Sequence, residues 1–416
     1  MLILIPRYAL PFAAMTLTIK DIQDAATRIA PAIIDTRFEQ SQTLSTMAGT
    51  DLFLKFENFQ FTASFKDRGA LNKLLLLKQQ GEVKGVIAMS AGNHAKAVAY
   101  HAERLGIPAT IVMPKNTPNV KVQDTKSFGA RVVLSGDNLD EAAAHAQQIA
   151  EAEHLIFVHP YNDLDIMAGQ GTVALEMLQA QPDLDCIVVP VGGGGLIAGV
   201  ATAAKAIKPD IKIIGVEVDA YPSVHNALHG IPSSKGGSTI AEGIAVKQPG
   251  DLTLEVIRRL VDDVLVVSEE SIEEAINLLL SIEKTVTEGA GAAPLAAVLR
   301  NQDKFHGLRT ALILSGANID SRILASVLMR SLVSKGRIVR FLVEIDDSPG
   351  SLSDVAEAIG EFGGNILDVS HQRMFASVPI KKADLYLTVE TRDATQNQEI
   401  LARLKELGYD AELLAE

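Results

Sequence analysis

Short apolar runs and helix-period stretches alternate from residue 85 to residue 158, and this alternation constrains the fold more than any other feature. The runs at 85–90, 109–113, 131–134 and 155–158 are too short for core helices. They also lack the every-other-residue pattern of half-exposed strands, so they read as parallel strands buried on both faces. Helical patterns lie between them at 93–105, in a stretch ending near Phe128, and at 139–153. The order β-α-β-α-β-α-β predicts a parallel sheet with helices on both faces and right-handed crossovers. A second α/β region is expected from a helix at 171–178, strands at 186–191, 211–216, 264–267 and 310–314, and helices at 196–207 and 271–282. Upstream, Thr18 caps a helix reaching Ile29 with Asp21 in its first turn. A strand at 52–56 and a loop leading into an apolar helix at 62–77 follow. Residues 223–250, rich in Gly, Pro and Ser, read as loops over a site.

The tail has a different rhythm. A polar, basic linker at 334–337 precedes a strand at 339–345 whose residues alternate. A turn at 346–350, a helix at 351–361 closed by Gly363-Gly364, strands at 366–370 and 384–390, a helix at 397–407 and a last strand at 410–413 complete a β-α-β-β-α-β order. That order is ferredoxin-like. With 416 residues, two or three domains are expected. The net charge of −13 argues against nucleic acid as a partner. The single cysteine, Cys186, sits in an apolar run and cannot form an internal disulfide, which fits a cytoplasmic location. The first fourteen residues are apolar, but they lack a basic start and are broken by Pro6 and Pro11. They read as an extension ahead of Met15 rather than a signal peptide. No other stretch has the uncharged length of a membrane span.

Three constellations carry chemistry. Lys66, in Thr62-Ala-Ser-Phe-Lys-Asp-Arg-Gly-Ala70, sits after Phe65 at a loop-to-helix junction, where positive potential helps an amine lose its proton. Such an amine can form a Schiff base. Gly192-Gly193-Gly194-Gly195-Leu196, between a strand and an apolar helix, lets backbone N–H groups converge on a phosphate. It matches neither the nucleoside-triphosphate nor the dinucleotide glycine spacing. Ser315 ends a strand and faces the crevice where α/β proteins bind ligands. To these is added the turn Ser90-Ala91-Gly92-Asn93-His94, a helix start suited to a carboxylate. Taken singly, each has a structural explanation. Together they fit pyridoxal 5'-phosphate and an amino acid.

With Ser315-Gly-Ala-Asn318, these motifs resemble the fold-type-II pyridoxal-phosphate enzymes, and within them the threonine dehydratases (threonine ammonia-lyases). The resemblance covers roughly residues 16–416, and the tail is similar to an ACT domain. It implies a tryptophan synthase β-like, two-lobed α/β architecture of parallel sheets plus a ferredoxin-like ACT domain. The implied domains are an extension over 1–15, a catalytic domain over 16–333 with its smaller lobe at 62–160, and a regulatory domain over 338–416. Lys66 would carry the cofactor beside Phe65 and act as base on the substrate Cα. Asn93 would bond the cofactor's 3-hydroxyl, Gly192 to Leu196 its phosphate and Ser315 its ring nitrogen. A neutral hydroxyl at that nitrogen leaves it largely unprotonated, which favours β-elimination over transamination. Ser90, Ala91, Gly92, Asn93 and His94 would hold the substrate carboxylate. The implied products are 2-oxobutanoate and ammonia, with isoleucine biosynthesis as a setting. ACT domains pair across chains, so a homo-oligomer, dimer or tetramer, is implied. A branched-chain amino-acid effector would bind at Asp347, Gly350 and Asn365. One departure is Ala95-Lys96-Ala97, where the family often has Ala-Gln-Gly.

Other candidates weigh less. His225 and His229 lack the glutamate of a zinc motif, Glu217 and Asp219 have poor metal spacing, and no metal site is expected. Asp183, Asp185, Asp262 and Asp263 read as solvated turns. Glu288, in Thr287-Glu-Gly-Ala-Gly291, divides evenly between a place near the cofactor and a structural role. Rival readings are a serine racemase, a serine or 3-hydroxyaspartate ammonia-lyase, and an amino-acid sensor with an inert catalytic half.

Overall fold

A computed structural model describes residues 16–232, 236–373 and 381–414. They form two compact units, one ending at Ile319 and one starting at Asp320. The extension expected at 1–15 lies outside the described residues.

The first unit opens with α1 (Ile19–Ile29), where Thr18 and Asp21 form a reciprocal capping box. After it come β1 (Phe38–Gln40), α2 (Gln42–Ala48), β2 (Asp51–Lys55) and α3 (Lys66–Gln79). A smaller lobe is built from β3 (Val86–Met89), α4 (Asn93–Leu105), β4 (Ala109–Met113), α5 (Asn119–Ser127), β5 (Arg131–Leu134), α6 (Leu139–Glu153) and β6 (Ile156–Phe157). Its sheet order is β5-β4-β3-β6, parallel throughout. The larger lobe adds α7 (Leu164–Ala180), β7 (Cys186–Pro190), α8 (Gly195–Ile207), β8 (Lys212–Val218), α9 (Ser223–His229), α10 (Asp251–Leu260), β9 (Asp263–Val267), α11 (Glu269–Ile282), α12 (Gly289–Arg300), α13 (Gln302–Phe305) and β10 (Arg309–Ile313). Its sheet runs β1-β2-β10-β7-β8-β9, parallel except for the β1–β2 pair.

The second unit contains α14 (Ser321–Ser334), β11 (Ile338–Asp346), α15 (Ser351–Glu361), β12 (Asn365–Gln372), β13 (Lys382–Glu390), α16 (Ala394–Glu406) and β14 (Asp410–Leu413). Its antiparallel sheet runs β12-β13-β11-β14, the ferredoxin-like arrangement. Alternate residues of β11 and β13 point into one core with Val355, Ile359, Ile400 and Leu404.

Several elements differ from expectation for physical reasons. α7 starts at Leu164 rather than residue 171, because the Asp163 side chain accepts the backbone N–H groups of Asp165 and Ile166. The stretch expected as loops at 223–250 holds α9 and a short 3-10 turn, Glu242–Ile244. α2, α10, α12 and α14 have no counterpart in the expected elements. α12 is the instructive one. Its sequence, Gly-Ala-Gly-Ala-Ala-Pro, reads as a breaker, yet the small residues are needed for contact. A Cβ on Gly289 would stand 2.6 Å from the Ile240 carbonyl oxygen, and one on Gly291 2.9 Å from that of Gly316.

Behind the site a buried ion network ties the lobes' helices together. Arg68 and Glu57 are fully buried. The Arg68 guanidinium donates to Glu57 at 2.7 Å and to Glu176 at 2.6 Å, and Lys55 Nζ meets Glu176 at 2.6 Å. The Glu57 carboxyl feels burial pushing it up, but Arg68 and Lys55 prevail and hold it below the usual range.

Candidate active site

The site forms where C-terminal strand ends of both sheets meet helix starts. Lys66 is the first residue of α3, on a loop folded by its own side chains. Buried Asp67 accepts the Thr62 N–H at 2.9 Å and the Thr62 hydroxyl at 2.5 Å. Ala63 takes a positive φ of 60°, a conformation costly for a residue with a Cβ. The loop then pairs with residues some 250 positions away. Phe65 donates its N–H to Ser315 O at 3.0 Å, Ala317 donates to Ala63 O at 2.9 Å, and Ser64 bridges Gly316. Lysine and serine are thus held on adjoining backbone.

The Lys66 amine donates to Pro160 O at 2.7 Å. Withdrawal from water brings it down to about 8, with nearby Glu288 pulling the other way. Burial, rather than the helix start alone, is what makes this amine able to shed its proton.

Gly192 and Gly193 leave β7, and Gly194 turns at φ 92° to start α8 at Gly195, with Leu196 in its first turn. No side chain caps that helix. The Gly193 carbonyl is engaged by Thr253 Oγ1 at 2.7 Å and by the Gly250 N–H at 3.2 Å. Gly193 is crowded from above, since a Cβ there would stand 2.3 Å from the Tyr161 ring.

Ser90 follows β3, and its hydroxyl accepts the Gly92 N–H at 3.2 Å; Ala91 lies between them, half-buried. Asn93 starts α4. Its Nδ2 donates to Glu288 Oε1 at 2.7 Å, and its Oδ1 accepts from Asn318 Nδ2 at 2.5 Å. His94 is buried, and its Nε2 meets the Val158 carbonyl at 2.9 Å, so the proton resides on Nε2. Burial, reinforced by Lys66, holds this ring down to about 3, which keeps it neutral.

Glu288 stands against this group. Burial pushes its carboxyl up to about 7, opposed by the Asn93 hydrogen bond and by Lys121 and Lys66. Its contacts with Asn93 and Gly316 set it beside two of the motifs singled out from sequence. The segment 158–163, with no functional reading from sequence, is a hub. Val158 O serves His94, Pro160 O serves Lys66, Tyr161 covers the glycine loop, and Asp163 pairs with Lys73 at 2.7 Å. His159 Nδ1 accepts the N–H groups of Tyr161 and Asn162. Its signal was available: a His-Pro-Tyr-Asn run directly after a strand marks the ligand-binding end of a parallel sheet.

The other candidates separate from this centre. Glu217 is spent capping α9, accepting the Val224 and His225 N–H groups, each at 2.8 Å. The His225 and His229 rings lie 4.4 Å apart on that helix. The four aspartates expected as solvated turns keep exposed side chains, and each also has a partner. Asp183 and Asp185 bind Arg309, Asp262 binds Lys205 and the Ile213 N–H, and Asp263 binds Lys304. In the second unit Asp347 pairs with Arg373 at 3.0 Å, Gly350 precedes α15 at φ 100°, and Asn365 donates to Glu390 at 3.3 Å. Asp347 and Asn365 thus answer to separate partners.

The chemistry of the first group suits pyridoxal 5'-phosphate. An uncapped helix start can take a dianion, and the softened lysine amine can take an aldehyde. Ser315 is buried at the end of β10. Ser64 and Thr287, in the segments that pair with Gly316 and lead into Glu288, carry buried hydroxyls without partners.

Residues 29–316 match the family described as pyridoxal-phosphate dependent enzyme, and the chain belongs to it. Residues 338–409 match the ACT domain family, so the second unit carries an ACT domain. Among relatives, a Thermotoga maritima protein named L-threonine ammonia-lyase is 42% identical over 400 residues, spanning 96% of this chain and 100% of its own length. A structure of the processed form of threonine deaminase isoform 2 from Solanum lycopersicum is 35% identical with a TM-score of 0.70, covering 74% of this chain and 93% of that one. A structure of maize serine racemase is 37% identical with a TM-score of 0.72, covering 77% and 99%.

Proposed function

We propose that this protein is a pyridoxal-phosphate-dependent lyase that deaminates L-threonine to 2-oxobutanoate and ammonia. The observation that carries the reading is the end-to-end likeness to a protein named L-threonine ammonia-lyase, ACT domain included. The likeness to a serine racemase covers 77% of this chain against 96% for the protein named L-threonine ammonia-lyase, so racemisation is less well supported. No helix among the described residues is long and apolar enough to cross a membrane, in keeping with a cytoplasmic enzyme.

The bound cofactor supplies an electron sink for the bond breaking at the substrate Cα. In this reading Lys66, Phe65, Asn93, the loop Gly192–Leu196 and Ser315 hold it. Near neutral pH an amine brought down to about 8 is partly unprotonated, so Lys66 Nζ can take the Cα proton. The N–H groups at the start of α4 receive the substrate carboxylate. His94, kept neutral, orients that turn from beneath through Val158. Glu288 holds a proton near neutrality and fixes Asn93.

Release of ammonia and the matching 2-oxo acid (2-oxobutanoate from L-threonine, pyruvate from L-serine, oxaloacetate from 3-hydroxyaspartate) is the test. Fast turnover of threonine is expected, falling by roughly a thousandfold or more in Lys66→Ala. Cofactor absorbance without turnover on all three substrates would overturn the reading. The same proposal extends to a homo-oligomer, dimer or tetramer, and to a branched-chain amino acid bound near Asp347, Gly350 and Asn365. Equilibrium dialysis of the full chain against isoleucine and valine checks the effector, and sedimentation checks assembly.

A further inference from the structure

One line of polar side chains crosses the site and ends on a lysine to which the reaction above gives no task. Glu288 accepts from Asn93 Nδ2, Asn93 Oδ1 accepts from Asn318 Nδ2, and Asn318 Oδ1 accepts from Lys96 Nζ at 3.1 Å. Lys96 is steadied by Asp124 at 2.9 Å, and its side chain is only 17% exposed. Asn318 Nδ2 also donates to Thr62 O at 3.0 Å, on the loop that bears Lys66. Asn93 and Lys96 lie three residues apart on α4, which puts them on one face.

A side-chain amide has a donating end and an accepting end of nearly the same shape. Two amides in series could therefore point either way. Here the lysine end of the line removes that freedom. An ammonium group only donates, so Asn318 turns its oxygen to Lys96 and its nitrogen to Asn93. Asn93 must then give its oxygen to Asn318 and its nitrogen to Glu288. The oxygen of Asn93 is used up, and its second N–H is what remains for a ligand.

We infer that Lys96 is a positioning residue: acting through Asn318 and together with the Thr62 carbonyl, its charge sets which end of the Asn93 amide is offered to the bound cofactor. The inference rests on the cofactor site proposed above. Without the charge, Asn318 is held only by the Thr62 carbonyl, the flipped arrangement gains population, and Asn93 then presents an oxygen where the site calls for a donor. Hydrogen bonds to charged groups are the stronger ones, so the bias is set at the lysine end.

The test is a double-mutant cycle on the pyridoxal 5'-phosphate dissociation constant of the full-length protein, with circular dichroism as the folding control. Lys96→Met is expected to weaken binding by about fivefold to tenfold, the scale of one charge-assisted hydrogen bond. Lys96→Arg, which keeps the charge and a donor, is expected to stay within about twofold of wild type. In a Glu288→Gln background the far end of the line accepts either amide orientation and leaves the selection to the Lys96 end, so Lys96→Met should cost at least as much there as in wild type. A loss below about twofold in the Glu288→Gln background would overturn the inference, because there the far end no longer fixes the amides. Failure of Lys96→Arg to restore affinity in folded protein would do the same. Wild-type protein that neither binds the cofactor nor turns over threonine would overturn the functional reading and this inference together.

Discussion

In the first unit β7 is buried at all five positions, whereas β13 in the second alternates half-buried and buried along its nine residues. The difference extends to polar residues. Arg68, Glu57, Asp67, Lys55, Glu217 and Glu288 are buried in the first unit, while the described residues of the second bury Thr391, Gln396 and Asn397 but no charged side chain. A parallel sheet covered on both faces has no wet face to carry function, so chemistry gathers at strand ends, where helix starts and loops converge. Shifted ionisation at Lys66, His94 and Glu288 follows from that burial. The antiparallel sheet of the second unit meets fewer such demands and is held by apolar burial.

The contrast can be broken most severely at Arg68. Arg68→Ala strands Glu57 and Glu176, and a loss of about 3–5 kcal/mol is expected in denaturant unfolding. A loss under about 1 kcal/mol would show the network to be loosely held. Leu385→Ala, in the apolar core of the second unit, should cost about 2–5 kcal/mol. Hydrogen exchange should localise that loss to residues beyond 320, and faster exchange around Lys66 would argue that the cores are energetically joined.

Glu288 sharpens the comparison through pH. Its carboxyl titrates near 7 in the fold against an ordinary 4.5, so the folded state holds the proton more tightly. The stability tied to it is complete below the ordinary value and is lost as pH rises through about 7. Glu288→Gln should therefore flatten the fall in stability between those two points, with the variants diverging most above pH 7. Parallel curves would place the proton elsewhere. The smallest effect is expected at Leu367, 48% exposed on β12. Leu367→Ser should alter unfolding by less than about 0.5 kcal/mol when dilute. A large change there would mean that this edge is covered by another chain.

Much of the fold was legible because each strand kept its period. Uninterrupted apolar runs at β3, β4 and β7 and alternation at β11 are properties of a few adjacent residues. α12 was not legible, because its glycines and proline are chosen for close approach to Gly316 and Ile240, contacts invisible to local propensity. The site divides in the same manner. Lys66, the glycine loop and Ser315 announce themselves by motif. Glu288 and the segment 158–163 gain their meaning only from neighbours over a hundred residues distant or in other elements.

The sequence by itself determined the layer order, the cofactor class and the family, since these are written in short-range periodicity and contiguous motifs. Tertiary structure alone decided which groups are charged and which way they point. It set the Lys66 amine low and the Glu288 carboxyl high by taking both out of water. It also lined up Lys96, Asn318, Asn93 and Glu288 from separate segments. Ionisation and amide orientation depend on burial and on distant partners, and a linear chain specifies neither until it has folded.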